Sequence, residues 1–260
     1  RTYSDANDRF PRWSPDGKWI VFASDRSGNW DLYLMSSAPE KKEPVRLTDR
    51  KGEEVNPSWS PDGSRLAYNY LNPKRGEWEV WALILTTGEN KFICDGLFPE
   101  WCPDPKKNQL LFQRYRKRDL PWFGVWTVSL DAGRENEQTS IVMDSGWAAI
   151  NPCWSPDGKW ICFATVYKSA EAQTAGSLRR ADDLWLVDAD GQRQQQLTNN
   201  AFPEWDPRWA ADGRIYFLSE EGVATVLAPG KEFRRLAANS LDGGALASMA
   251  VSSGSIFIRT

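Results

Sequence analysis

Apolar residues along the chain fall into short runs of about five, separated by polar stretches, and the order of the runs repeats. The first cycle opens with Pro11-Arg12-Trp13, then Ser14-Pro15-Asp16-Gly17, then an apolar run from Trp19 to Ala23. A polar stretch follows, then an alternating run, Asp31-Leu32-Tyr33-Leu34-Met35, and a short close, Val45-Arg46-Leu47-Thr48. The cycle returns as SWSPDGSRLAY at Ser58 to Tyr68 and CWSPDGKWICF at Cys153 to Phe163. Degraded copies open with WCPDPKK at Trp101 and WAADG at Trp209. A faded sixth, AVSSGSIFI, runs from Ala250 to Ile258 with Ala250 in the place of Trp and Gly254 in the place of the repeat glycine.

Period-two alternation with β-branched and aromatic residues predicts strands rather than helices. Proline presets φ for the turn, and glycine accepts the positive φ of a tight hairpin. Each cycle therefore reads as four short strands joined by turns. Four-stranded units of about 40–50 residues, repeated along a chain, predict a β-propeller. One such sheet cannot bury its apolar faces alone, so neighbouring copies must bury each other, and the same residues recur to fit the same neighbour. The expected architecture is all-β and six-bladed with four-stranded blades, the last blade incomplete. Residues 1–260 form a single domain in this reading, with copies opening near residues 10, 56, 98, 151, 206 and 247.

The segment WSPDGKWIVFASDRSGNWDLYLM, followed by VRLTD, resembles the WD40-like PD40 repeat of the TolB propeller family. It lacks the Gly-His and Trp-Asp signatures of ordinary WD40 blades. The resemblance covers nearly the whole chain and implies a TolB-type propeller. Related propellers occur in TolB, in prolyl-oligopeptidase-type and tricorn-like proteases, and in oligogalacturonate lyases, so function must be argued from a site.

Composition narrows the chemistry. The chain has no His, which excludes Ser-His-Asp and Cys-His arrangements, Cys2His2 zinc and His-ligated haem within it. No Gly-x-Ser-x-Gly elbow is present. Net charge is −3, which argues against nucleic acid as a partner. No apolar run approaches the ~18–20 residues of a membrane span, so direct membrane insertion is not expected. The reading is of a chain that is not an enzyme and uses neither cofactor nor metal. Asp188-Ala189-Asp190-Gly191 resembles the start of a calcium loop but lacks its remaining ligands, and reads better as a hairpin turn. The recurring Asp16, Asp62, Asp157 and Asp212, with Gly17, Gly63, Gly158 and Gly213, read as turn residues. Trp13, Trp59, Trp101, Trp154 and Trp209 read as plugs between blades. Cys153 and Cys162 flank their turn symmetrically and should face each other, either as a cross-strand disulfide or as two small buried residues. Cys94 and Cys102 flank another loop, with the same two readings.

A partner is expected at the loops that join strand two to strand three and strand four to the next blade. The longest cationic-aromatic loop supplies Arg114, Tyr115, Arg116, Arg118, Trp122 and Phe123, residue types that favour interface hot spots. Phe98, Trp147, Phe202 and Glu204 complete the candidate rim, whose mixed character suits a protein or peptide better than a nucleotide. A second insertion, Val166 to Asp182, reads as a tolerated surface loop. The chain begins with Arg1, from which a processed or trimmed product is expected, and its last copy suggests a portion of a longer protein. The resemblance implies a non-enzymatic interaction module in the bacterial cell envelope, periplasmic or otherwise extracytoplasmic, binding an envelope protein or a larger complex. The alternatives are the gating propeller of a prolyl-oligopeptidase-like peptidase, a carbohydrate-active propeller, or an accessory subunit of an extracytoplasmic complex.

Overall fold

In a computed structural model, the described residues are 5–38, 43–115, 123–131, 138–142, 147–167, 183–199, 204–219, 222–228, 234–240, 250–252 and 255–257. The architecture is all-β and of the propeller type. The first sheet holds β1 (Asp8–Trp13), β2 (Trp19–Ser24), β3 (Asp31–Ser36) and β4 (Val45–Arg46). The second holds β5 (Glu54–Trp59), β6 (Arg65–Asn72), β7 (Glu77–Ile84) and β8 (Asn90–Asp95). The third holds β9 (Leu97–Trp101), β10 (Gln109–Tyr115), β11 (Phe123–Ser129) and β12 (Gln138–Val142). The fourth holds β13 (Trp147–Trp154), β14 (Trp160–Tyr167), β15 (Leu184–Asp188) and β16 (Gln194–Gln196). The fifth holds β17 (Glu204–Trp209), β18 (Ile215–Ser219), β19 (Val223–Ala228) and β20 (Arg234–Ser240).

The expectation of six blades is corrected. Among the described residues there are five four-stranded sheets, and the faded copy forms a two-stranded hairpin, β21 (Ala250–Ser252) with β22 (Ser255–Phe257). That copy carries neither Pro-x-Trp nor Pro-Asp-Gly. The chain divides into two compact units, Arg1–Arg114 with Val128–Gln138, and Tyr115–Thr127 with Thr139–Thr260.

The repeat motif has a common local geometry. In the first turn, Asp16 Oδ1 accepts from the Ser14 hydroxyl at 2.6 Å and from the Lys18 N–H at 3.1 Å. The Ser14 Oγ accepts in turn from the Trp19 N–H at 2.9 Å. Ser60 and Asp62, and Ser155 and Asp157, repeat these bonds. Asp212 keeps the bond from the Arg214 N–H, though Ala210 replaces the serine. Gly17, Gly63, Gly158 and Gly213 take positive φ at these turns. The closing Leu-Thr is also explained: Thr48 Oγ1 accepts from the Leu32 N–H and Thr198 Oγ1 from the Leu184 N–H, both at 2.9 Å.

The opening strand of each four-stranded sheet carries a bulge. Phe10, Asn56, Phe98, Asn151 and Asp206 adopt left-handed φ of 48–53° there, each just before a proline. The proline has no N–H to lose where the ladder is interrupted. Two residues later comes the repeat Trp.

In the first unit, Val21, Ala23 and Leu32 of the first sheet pack with Val55, Leu66, Tyr68 and Leu83 of the second, and Trp59 lies against this core. The Trp59 indole donates to the Arg12 carbonyl of the first sheet at 3.1 Å. In the second unit, Cys153, Cys162, Ala164, Leu184 and Leu186 pack with Ile215, Phe217 and Leu227, with Trp209 against them. Trp101 and Trp154 are buried. Trp13 departs from the expected plug and is 58% exposed.

The cysteine pairing is legible in the register, since Cys153 and Cys162 are direct cross-strand partners. Neither that pair nor Cys94 and Cys102 is joined in a disulfide, and all four side chains are buried, as in the alternative of small buried residues. The Ser155 N–H donates to the Trp160 carbonyl at 2.8 Å. By alternation, the Cys153–Cys162 pair two residues along is a hydrogen-bonded pair, whose Cβ atoms stand at the wide end of the range, roughly 5.5 Å. A disulfide needs about 3.5–4.5 Å. The Cys153 thiol is instead directed at the Pro207 carbonyl, 3.1 Å away.

Candidate functional site

The third sheet carries the candidate docking loop between β10 and β11. Gln113 is buried, Arg114 is half-buried and Tyr115 is 56% exposed, so the strand emerges into solvent over three residues. Arg114 Nη1 donates to Gln138 Oε1 at 2.6 Å. Tyr115 meets Phe123 edge-on, with ring centroids 5.5 Å apart, so the two ends of the loop are joined by an aromatic pair. Arg116, Arg118 and Trp122 lie outside the described residues, as do Phe202 and most of the Val166 to Asp182 insertion.

Phe98 is half-buried and left-handed, at the bulge of β9. Its N–H donates to Asn69 Oδ1 at 2.8 Å. Asn69 is fully buried, and its Nδ2 donates to the carbonyls of Gly96 at 2.9 Å and Glu79 at 3.3 Å. A Cβ on Gly96 would lie 2.5 Å from the Phe112 ring, so the chain comes close here because position 96 has no side chain. Asn69 was not singled out by sequence reasoning. The available signal is a polar residue where the matching apolar runs carry Ala23 and Ala164.

Two other rim candidates are engaged in packing. Trp147 stacks on Phe163 and Trp185, with centroids 6.1 and 6.0 Å away. Glu204 is buried at the start of β17. The structure thus presents Tyr115 as the most exposed member of the described set.

A second cluster, also missed in the sequence, surrounds Arg50. Its guanidinium lies 3.7 Å from the Tyr70 ring centroid and 4.0 Å from that of Trp81. Arg50 Nε donates to Glu54 Oε1 at 2.8 Å and Nη2 to the Tyr68 hydroxyl at 2.7 Å. Burial pushes the Glu54 carboxyl up, against hydrogen bonds from Arg50 and Thr48 that pull it down. Asn29 Nδ2 donates to the carbonyls of Arg50 and Gly52, both at 3.0 Å. The cation is fully engaged by its own chain and holds the loop between the first two sheets.

The acidic candidates are occupied by turns. Burial works against ionisation of Asp188, but bonds from Arg193 and Gln192 hold its carboxyl below the ordinary value. Asp188 Oδ1 accepts from the Gln192 N–H at 2.7 Å, and Gly191 takes φ 74°. This is a hairpin turn closing β15 onto β16. No group of three or more metal-ligating side chains converges among the described residues.

The TolB beta propeller domain family matches residues 2–135. The Tol-Pal system protein TolB of Francisella tularensis subsp. mediasiatica is 26% identical over 167 residues, covering 64% of this chain and 36% of that protein. An uncharacterized peptidase of Bacillus subtilis, YuxL, is 32% identical over 168 residues, covering 63% of this chain and 22% of that protein. The crystal structure of TolB from Acinetobacter baumannii superposes with a TM-score of 0.71 at 20% identity, covering 94% of this chain and 56% of that one. The chain therefore spans about half or less of the length of the curated relatives it matches. With the same turn, bulge and tryptophan in one sheet after another and a family match over half its residues, the chain belongs to the TolB beta-propeller family.

Proposed function

We propose that this chain is a non-enzymatic, extracytoplasmic interaction module, and that it holds a protein or peptide partner at the loop of the third sheet. The observation that carries the reading is Tyr115, an exposed aromatic edge-on to Phe123 at the base of a loop whose sequence holds Arg114, Arg116, Lys117 and Arg118. An aromatic fixed by a neighbour loses little freedom on binding, and the adjacent cations favour an acidic partner segment. The name of the Francisella relative supports an envelope system as the setting. The test is affinity capture from a native envelope fraction, with wild-type chain and Tyr115→Ala as baits. A protein retained by wild type and lost by the variant, with thermal unfolding unchanged, supports the proposal. Identical capture by both baits overturns this site.

A second reading is favoured by one observation, the match to a peptidase relative that is several times longer than the matched region. There the chain would be the propeller of a peptidase whose nucleophile lies in another domain. A fluorophosphonate probe, which labels an activated serine, would label the native protein carrying this chain under this reading and leave it unlabelled under the first.

A further inference from the structure

We draw no further inference here: the strongest candidate, the face of the first sheet where exposed Trp13 is the register partner of half-buried Ile20 and Ile20 that of half-buried Met35, is an unpartnered apolar face, and nothing in the structure shows what covers it.

Discussion

Glu54 at the start of β5 and Asp62 in the turn that follows it are carboxyls of one sheet, and folding moves them in opposite directions. Burial raises Glu54 above its ordinary 4.5, so the native chain holds that proton more tightly than the unfolded chain. Its contribution to stability is complete below pH 4.5 and is lost as pH rises through the raised value. Asp62 is pulled down to about 2, first by the Ser60 hydroxyl; burial opposes this, and Ser64 adds to the lowering. Its contribution is present above 3.8 and is lost as pH falls through about 2. We expect Glu54→Gln to flatten the decline in melting temperature above pH 4.5, and Asp62→Asn to flatten the decline below pH 3.8, each read from thermal unfolding across pH. Gly52 gives a steric test at the same scale. A Cβ there would lie 1.9 Å from the Leu71 carbonyl oxygen, so Gly52→Ala must displace backbone. The expected loss is about 2–3 kcal/mol in urea unfolding, and an unchanged midpoint would show that the Arg50 loop yields freely.

The strands, turns and closing Leu-Thr segments were legible because each is a local rule repeated along the chain. The Pro-Asp-Gly turn needs only residues a few positions apart, and its Asp found the backbone N–H groups next to it. The bulges were not legible. A left-handed Phe98 before Pro99 contradicts the ordinary preference of a non-glycine residue in that position, and its support comes from Asn69 in the preceding sheet. Arg50 was missed for the same reason, since its partners Tyr70 and Trp81 are remote in sequence. For the cysteines the pairing was legible, but whether that pair sits at the wide position of the ladder depends on hydrogen-bond phase. We expect the native chain to leave all four thiols unreactive towards a thiol reagent, and the denatured chain to titrate all four. Fewer than four in the denatured chain would reveal a bond. At the seam between the first two sheets, Trp59→Phe keeps an aromatic ring, though a smaller one, and loses the indole N–H that bonds to Arg12, an expected cost of about 1 kcal/mol for the bond. Trp59→Ala also leaves a cavity and should cost about 3 kcal/mol or more.

For the molecule as a whole, repetition explains stability better than any single interaction does. Each unit joins sheets through the same apolar contact, Val21, Ala23 and Leu32 with the second sheet in one, Ala164, Leu184 and Leu186 with the fifth in the other. That sameness made the fold legible and the binding site largely illegible. Sheets must agree with their neighbours, whereas the loops that leave them need not agree with one another: Phe123 takes the place of Trp30 and Trp78 in the repeat, but the loop that begins at Tyr115 has no counterpart from which a role could be read. The chain carries a net charge of −3, yet its candidate loop is cationic. Capture through that loop should weaken as salt is raised, because screening acts on exposed charges. Capture that is unaffected by salt would shift the weight to the aromatic pair.

Trp13 and Trp19 are the exposed indoles among the described residues, at 58% and 43%. In optical terms, the buried Trp101 and Trp154 should emit to the blue of the exposed Trp13 and Trp19, which form a red-emitting patch at one end of the sequence. Iodide, which cannot enter a packed seam, should quench that patch selectively, and Trp13→Phe should remove much of the quenchable light. Anything that seats on the first sheet, from the same chain or another, should then announce itself without a label, as a blue shift and a loss of quenching.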